Sequence, residues 1–235
     1  MVMNYRCEAV TIEGFVQQLA VQYVSRGYFF YVTGEIPAGK DPKRVDEKLI
    51  GKYEITDSKW SRARRKRSGT ANIHYLRYQR WFVLLATHGQ HRFFEEEGAS
   101  YRDVRETPIK FGGYSIGHKK SARVHIEREV YLEIRAWFLE NALHRSAKAL
   151  SDQFRALGFE PYGGVKKQLF SIHSEVNLRR GQAGFEPVEF PAGFLKRTQR
   201  KPFVGVTELS SPPISCGDLA SLRSNLETEE GSVTV

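Results

Sequence analysis

The chain is poor in cysteine, in methionine and in long apolar runs, and each shortage excludes something. Its 235 residues hold two methionines and two cysteines, Cys7 and Cys216, the latter near opposite ends. Two distant thiols make neither a disulfide framework nor a Cys-based zinc site, which needs close pairs. No apolar run approaches the roughly 20 residues needed to span a bilayer, so no membrane partner is expected. The N-terminus, MVMNYRCEAVTIEGF, lacks a basic patch followed by a continuous apolar stretch and does not read as a secretory signal. These features point to a cytoplasmic protein with free thiols. A Walker A loop, a G-x-S-x-G elbow and an H-E-x-x-H helix are also missing, which leaves NTPase, α/β-hydrolase and zincin chemistry without support. Zinc-finger spacing, a basic-region zipper and a clear helix-turn-helix are absent too, so sequence-specific base reading is not implied.

Acidic residues are missing from one stretch in particular. Residues 59–80 carry 8 basic groups and no acid, whereas residues 1–58 carry 7 basic and 8 acidic groups. Most of the formal net charge of +9 therefore sits in 22 residues. Lys59, Arg62, Arg64, Arg65, Lys66 and Arg67 form the dense part, and Arg77 and Arg80 extend it. Such density repels itself and is stable only when solvated or facing an anion. Nucleic-acid phosphates suit it, because guanidinium forks match their oxygens. Trp60, Tyr75 and Tyr78 flank the cluster with flat rings suited to stacking on unpaired bases, and Lys119 and Lys120 could widen the surface. The expected partner is a nucleic acid, with single-stranded DNA or RNA favoured. A solvated loop, or a module for an acidic protein partner, fits the same charge.

Aromatic residues are plentiful, with 15 Phe, 11 Tyr and 3 Trp, and they need burial. The spacing predicts a helix from about Thr11 to Arg26, with Thr11 as N-cap and Gly27 as its end. Tyr28 to Ile36 reads as a strand, and Asp41-Pro42 as the start of a helix carrying Val45, Leu49 and Tyr53. Ile73 to Thr87 is one long strand or a hairpin. Two short strands lie around His118-Lys119-Lys120-Ser121, and three helices follow: Glu127 to Leu143, one capped by Ser146, and one closing on Arg179-Arg180-Gly181. The expected fold class is α+β: a small sheet with packed helices over residues 1–126, with a basic arm or loop at 59–80. A helical region over 127–209 and a disordered acidic tail over 210–235 complete it.

Two short patterns carry chemistry. Arg26-Gly27-Tyr28-Phe29-Phe30 echoes the start of an RNA-recognition strand motif, although aromatics packing a core strand explain it as well. His88-Gly89-Gln90-His91, followed closely by Glu95, offers two imidazoles and a carboxylate to a divalent ion such as Mg or Mn. Ordinary turn histidines give the same spacing. The order of aromatic strand, helix, strand, paired histidines and downstream tyrosine-bearing helix resembles HUH-type single-strand DNA nickases. That group includes rolling-circle replication initiators and tyrosine transposases of small insertion elements. The resemblance implies metal ligation by His88 and His91, attack on the phosphate by Tyr131, or else Tyr114, and an origin in a mobile element or replication system. That family has one residue between its histidines; here Gly89 and Gln90 intervene, so only a turn or bulge would bring both rings to one face.

Overall fold

The computed structural model describes residues 5–55, 58–191 and 199–203. Cys216 and the acidic segment 210–235 lie outside them. No described helix is long and apolar enough to cross a membrane.

The fold is α+β, built on two antiparallel-rich sheets. Strand β1 (Glu8–Ala9) is followed by α1 (Ile12–Gln17), which opens on the Thr11 hydroxyl and runs on through a wider turn, Gln18–Tyr23, and a tighter one, Val24–Arg26. Gly27 ends it at φ +92°, a value that suits glycine. Strand β2 (Phe30–Glu35) leads to α2 (Pro42–Lys52), with Asp41 accepting the Lys43 N–H as N-cap. Helix α3 (Lys59–Arg67) precedes the hairpin of β3 (Ile73–Tyr78) and β4 (Trp81–Ala86). Then come α4 (Arg92–Glu97), β5 (Arg102–Asp103), β6 (Ile109–Phe111), β7 (Tyr114–His118) and β8 (Ala122–Ile126). Helices α5 (Arg128–Asn141), α6 (Ala147–Ala156) and α7 (Gly163–Gln182) close the described chain.

The larger sheet has the order β1-β3-β4-β2-β5, and the smaller one β6-β7-β8. Among the described strands, β1 and β3 pair in parallel and the other pairs are antiparallel, while an isolated parallel bridge joins Thr70 to Gln90. Side chains alternate across the larger sheet, so each face acquires its own core. Ile73, Tyr75, Leu84 and Ala86 pack with Ile50, Tyr53 and Phe93 on one face. On the other, Leu76, Val83 and Leu85 join Phe15 and Leu19 from the first helix, Ile116, Val124 and Ile126 from the small sheet, and Phe138, Phe154 and Leu169 from the last three helices. That second core passes residue 126 without a break. Every fully buried Leu or Phe in it contributes about 1.5–3 kcal/mol relative to exposure.

The region expected to be a basic arm or loop is instead an ordered helix followed by a core strand. The Ser58 hydroxyl accepts the Ser61 N–H at 3.3 Å to start α3. Four cations, Arg64, Arg65, Lys66 and Arg67, fill its last turn, where the helix dipole is negative. The register Ile73↔Ala86, Ala86↔Phe30 and Phe30↔Asp103 sets one row across the sheet. This row marks the end of the molecule where α3, the histidine turn and the small-sheet hairpin meet.

Candidate nucleic-acid interface

Helix α3 buries none of its residues, yet hydrogen bonds among the described residues fix it in place. Its Arg62 carbonyl accepts Asn72 Nδ2 at 3.2 Å, and Arg65 Nη2 donates to the Glu54 carbonyl at 2.9 Å. The Thr70 N–H reaches back to the Arg65 carbonyl at 2.9 Å. Lys59, Arg64, Lys66 and Arg67 are exposed and form no ion pair among the described residues. Trp60, in the first turn, is 79% exposed, the most open of the large apolar side chains described. Its indole offers a flat ring with an apolar body and a polar N–H to a partner.

The other side of α3 faces the sheet end. Burial pushes the Tyr28 phenol up, while the Arg62 and Arg26 guanidinium groups beside it pull the other way. Burial drives the His74 imidazole down to about 3, and Arg62 adds to the effect. His74 lies 4.5 Å from the ring of Tyr23 and 4.9 Å from that of Tyr28, with the Tyr5 hydroxyl 2.8 Å from Nδ1. This imidazole is a neutral core group.

The histidine turn is fastened to the end of α3. Gln90 N–H donates to the Gly69 carbonyl at 2.9 Å, and Ala71 N–H donates to the Gln90 carbonyl at 3.1 Å. Gly89 lies between these bonds at φ +136°, where a Cβ would stand 2.5 Å from Ala71 N and 2.6 Å from the Gly69 oxygen. Only glycine fits there. His91 then caps α4, its Nδ1 accepting the Phe93 N–H at 3.1 Å. Burial, with Arg65 and Arg92 nearby, lowers its pKa. His88 turns elsewhere, its exposed ring 4.8 Å from Phe30 and 6.1 Å from Phe29.

The two histidines therefore have different neighbours among the described residues, His91 lying 6.3 Å from the Tyr53 ring and His88 beside Phe30. Glu95 is exposed on α4. Among the described residues no three His, Cys, Asp or Glu side chains gather closely enough to hold an ion. Tyr131 is half-buried on α5 against the larger core, with Arg135 as its charged neighbour. Tyr114 is buried, and its hydroxyl oxygen accepts the Glu160 N–H at 2.8 Å, a packing role.

Four residues assigned to the interface from sequence belong elsewhere. Arg77 is 2% exposed: Nε and Nη2 both reach Asp46 at 2.9 Å, and Nη2 stands 3.1 Å from Glu8. Burial alone would pull its pKa down, but these two carboxylates hold it above its ordinary value. Tyr75 is fully buried, with its hydroxyl donating to Asp46 at 2.6 Å, so it is no stacking ring. Arg80 is tied to the carbonyls of Ile36, Pro37 and Lys40. Tyr78 is half-buried against Phe111, 5.8 Å between centroids. These last two lie at the far end of the β3–β4 hairpin, about 17 Å along the strand from Ile73 at roughly 3.4 Å per residue.

Lys119 and Lys120 are exposed at the tip of the β7–β8 hairpin. His118, at the end of β7, packs 4.7 Å from Phe29, which places this tip beside the start of β2. Its Nδ1 is sealed from solvent with no hydrogen-bond partner among the described residues, and its ring meets Phe29 at a tilt of 51°. Arg105 completes the group, with its guanidinium carbon 4.7 Å over the Phe29 ring. Sequence reasoning missed Phe29, His118 and Arg105 as a set, because only the fold joins them.

One end of the molecule thus carries an acid-free helix with an exposed indole, a histidine turn, a lysine-tipped hairpin and an arginine poised over phenylalanine. It spans the row from Ile73 to Asp103, about 15 Å at roughly 4.8 Å per strand. No family model matches the chain, and neither a curated protein nor a solved structure shows significant similarity to it.

Proposed function

We propose that the protein binds nucleic acid, single strands in preference to duplex, through the end of the sheet that carries α3. One observation carries this reading: Lys59, Arg64, Lys66 and Arg67 stand exposed, with no ion pair among the described residues, around a Trp60 that is 79% exposed. Ordered cations on a fixed helix meet phosphates without the entropy cost of ordering a loop. The indole supplies a platform for an unpaired base, which a paired base in a duplex does not offer. Lys119 and Lys120 extend the positive surface past the histidine turn. Phosphate contacts give affinity, and stacking gives the preference for single strands; neither reads sequence.

The test is a fluorescence titration against labelled single-stranded DNA, duplex DNA and RNA of equal length at two salt concentrations. Salt-sensitive binding that favours the single strands is expected, and Trp60→Ala should erase much of that preference. Running the products with Mn²⁺ on a denaturing gel shows whether strand cleavage accompanies binding, as the nickase resemblance implies. An absence of binding at low salt sinks the proposal and leaves α3 for an acidic protein partner.

A further inference from the structure

Arg105 is held more firmly than an exposed arginine in a loop needs to be. Its Nε stands 2.9 Å and 3.0 Å from the two Asp103 carboxylate oxygens, and Nη2 is 2.5 Å from Oδ2. The same carboxylate accepts the Arg105 backbone N–H at 2.9 Å, while the Asp103 carbonyl accepts the N–H groups of Glu106 and Thr107. Val104, 1% exposed, donates to the Phe29 carbonyl at 2.8 Å and binds this turn to the start of β2. One edge of the guanidinium is thus taken by Asp103, and its carbon stands 4.7 Å from the centre of the Phe29 ring, over that ring. The side chain is nevertheless 40% exposed.

A phosphate contact is not what this arrangement offers, because Asp103 already balances the charge. What remains open is a flat, weakly hydrated cationic face, braced from beneath by a ring that His118 packs at 4.7 Å. Flat π-systems bind such faces, and nucleobases are among the best of them. We infer that the free face of Arg105 stacks an unpaired nucleobase, as a second stacking position on the strand that α3 and Trp60 engage. Asp103 and Phe29 are positioning residues for it. The inference rests on the proposed nucleic-acid reading and adds a site at the opposite edge of the same end.

Arg105→Lys tests it, because lysine keeps the charge and can keep the Asp103 pair while losing the flat face. The probes are a short oligodeoxyadenylate and an abasic phosphodiester strand of equal length, titrated by anisotropy across a salt series. The wild-type protein should prefer the base-bearing strand. In Arg105→Lys that preference should shrink by about 5- to 150-fold, the range for one base stack, with the salt slope unchanged. A 2-aminopurine strand should show less quenching with the variant. An equal preference in both proteins, with a steep salt slope retained, overturns the stacking role and leaves nucleic-acid binding standing. A variant that loses salt slope instead makes Arg105 an ordinary phosphate contact and also overturns the inference. Failure of the wild-type protein to bind either strand overturns both proposals.

Discussion

Arg77→Ala removes one half of a buried charge pair, and the consequence separates structural from nucleic-acid-binding arginines. The side chains of Arg77 and Asp46 are 3% and 9% exposed, and they meet at 2.9 Å. Without the guanidinium, the Asp46 carboxylate keeps, among the described side chains, the Tyr75 hydroxyl at 2.6 Å and the Cys7 thiol at 3.5 Å. Removing one partner of such a pair typically costs about 3–5 kcal/mol, most of it from the carboxylate left buried and unbalanced. In a chain of 235 residues each kcal/mol moves the melting temperature by about 2–4 °C, so a fall of about 6–20 °C is expected. Thermal melts read the loss directly. An Asp46→Leu/Arg77→Met double variant should recover most of it, because apolar groups of similar volume need no balancing charge. Below the new melting temperature, the salt dependence of nucleic-acid binding should match the parent. A melt within a degree or so of the parent, with a shallower salt slope, would show that Arg77 serves the interface and that this network is misread.

The buried imidazole of His74 makes a prediction about acid. Its folded pKa of about 3 lies below its ordinary 6.5, so the unfolded chain binds the proton more readily. The contribution is whole above about pH 6.5 and falls by roughly 1.4 kcal/mol per pH unit toward pH 3. His74→Gln should flatten that part of the profile of unfolding free energy against pH by about 2–3 kcal/mol between neutrality and about pH 4.5, and parallel profiles from denaturant unfolding would refute it. Gly89→Ala places a methyl group against Ala71 N and the Gly69 oxygen, so the histidine turn should come away from α3. About 1–3 kcal/mol of stability should be lost with some affinity, and unchanged melts would contradict the docking.

Much of the framework could be read from local signals. The caps at Thr11, Asp41 and Ser146 and the 3.6-residue spacing after each one located three helices, because those elements are specified by neighbouring residues. Helix α3 escaped the same approach. It has no apolar stripe, and its order comes from a cap, a dipole and bonds to Glu54 and Asn72. Alternation in β3 puts Arg77 on the face of Ile73 and Tyr75, but the carboxylate that receives it lies 31 residues earlier. Strand β1 was invisible for a related reason: two residues pair in parallel with Arg77 and Tyr78, far along the chain. The Arg105 platform needs Phe29 beneath it and His118 beside Phe29, and no spacing in the sequence joins these three.

The salt dependence of binding tests the central claim most directly. Lys59, Arg64, Lys66, Arg67, Lys119 and Lys120 are the exposed cations assigned to phosphates. A single strand meeting all six should show a slope of log K against log salt near −4, at roughly −0.7 per contact. Affinity should then fall about 300-fold between about 50 and about 200 mM salt. Replacing Arg64, Lys66 and Arg67 by glutamine keeps helix propensity and removes three contacts, so the slope should drop to about −2. A triple variant that binds with the parent's slope, or a parent whose binding ignores salt, would contradict the assignment of α3 as the nucleic-acid-binding element.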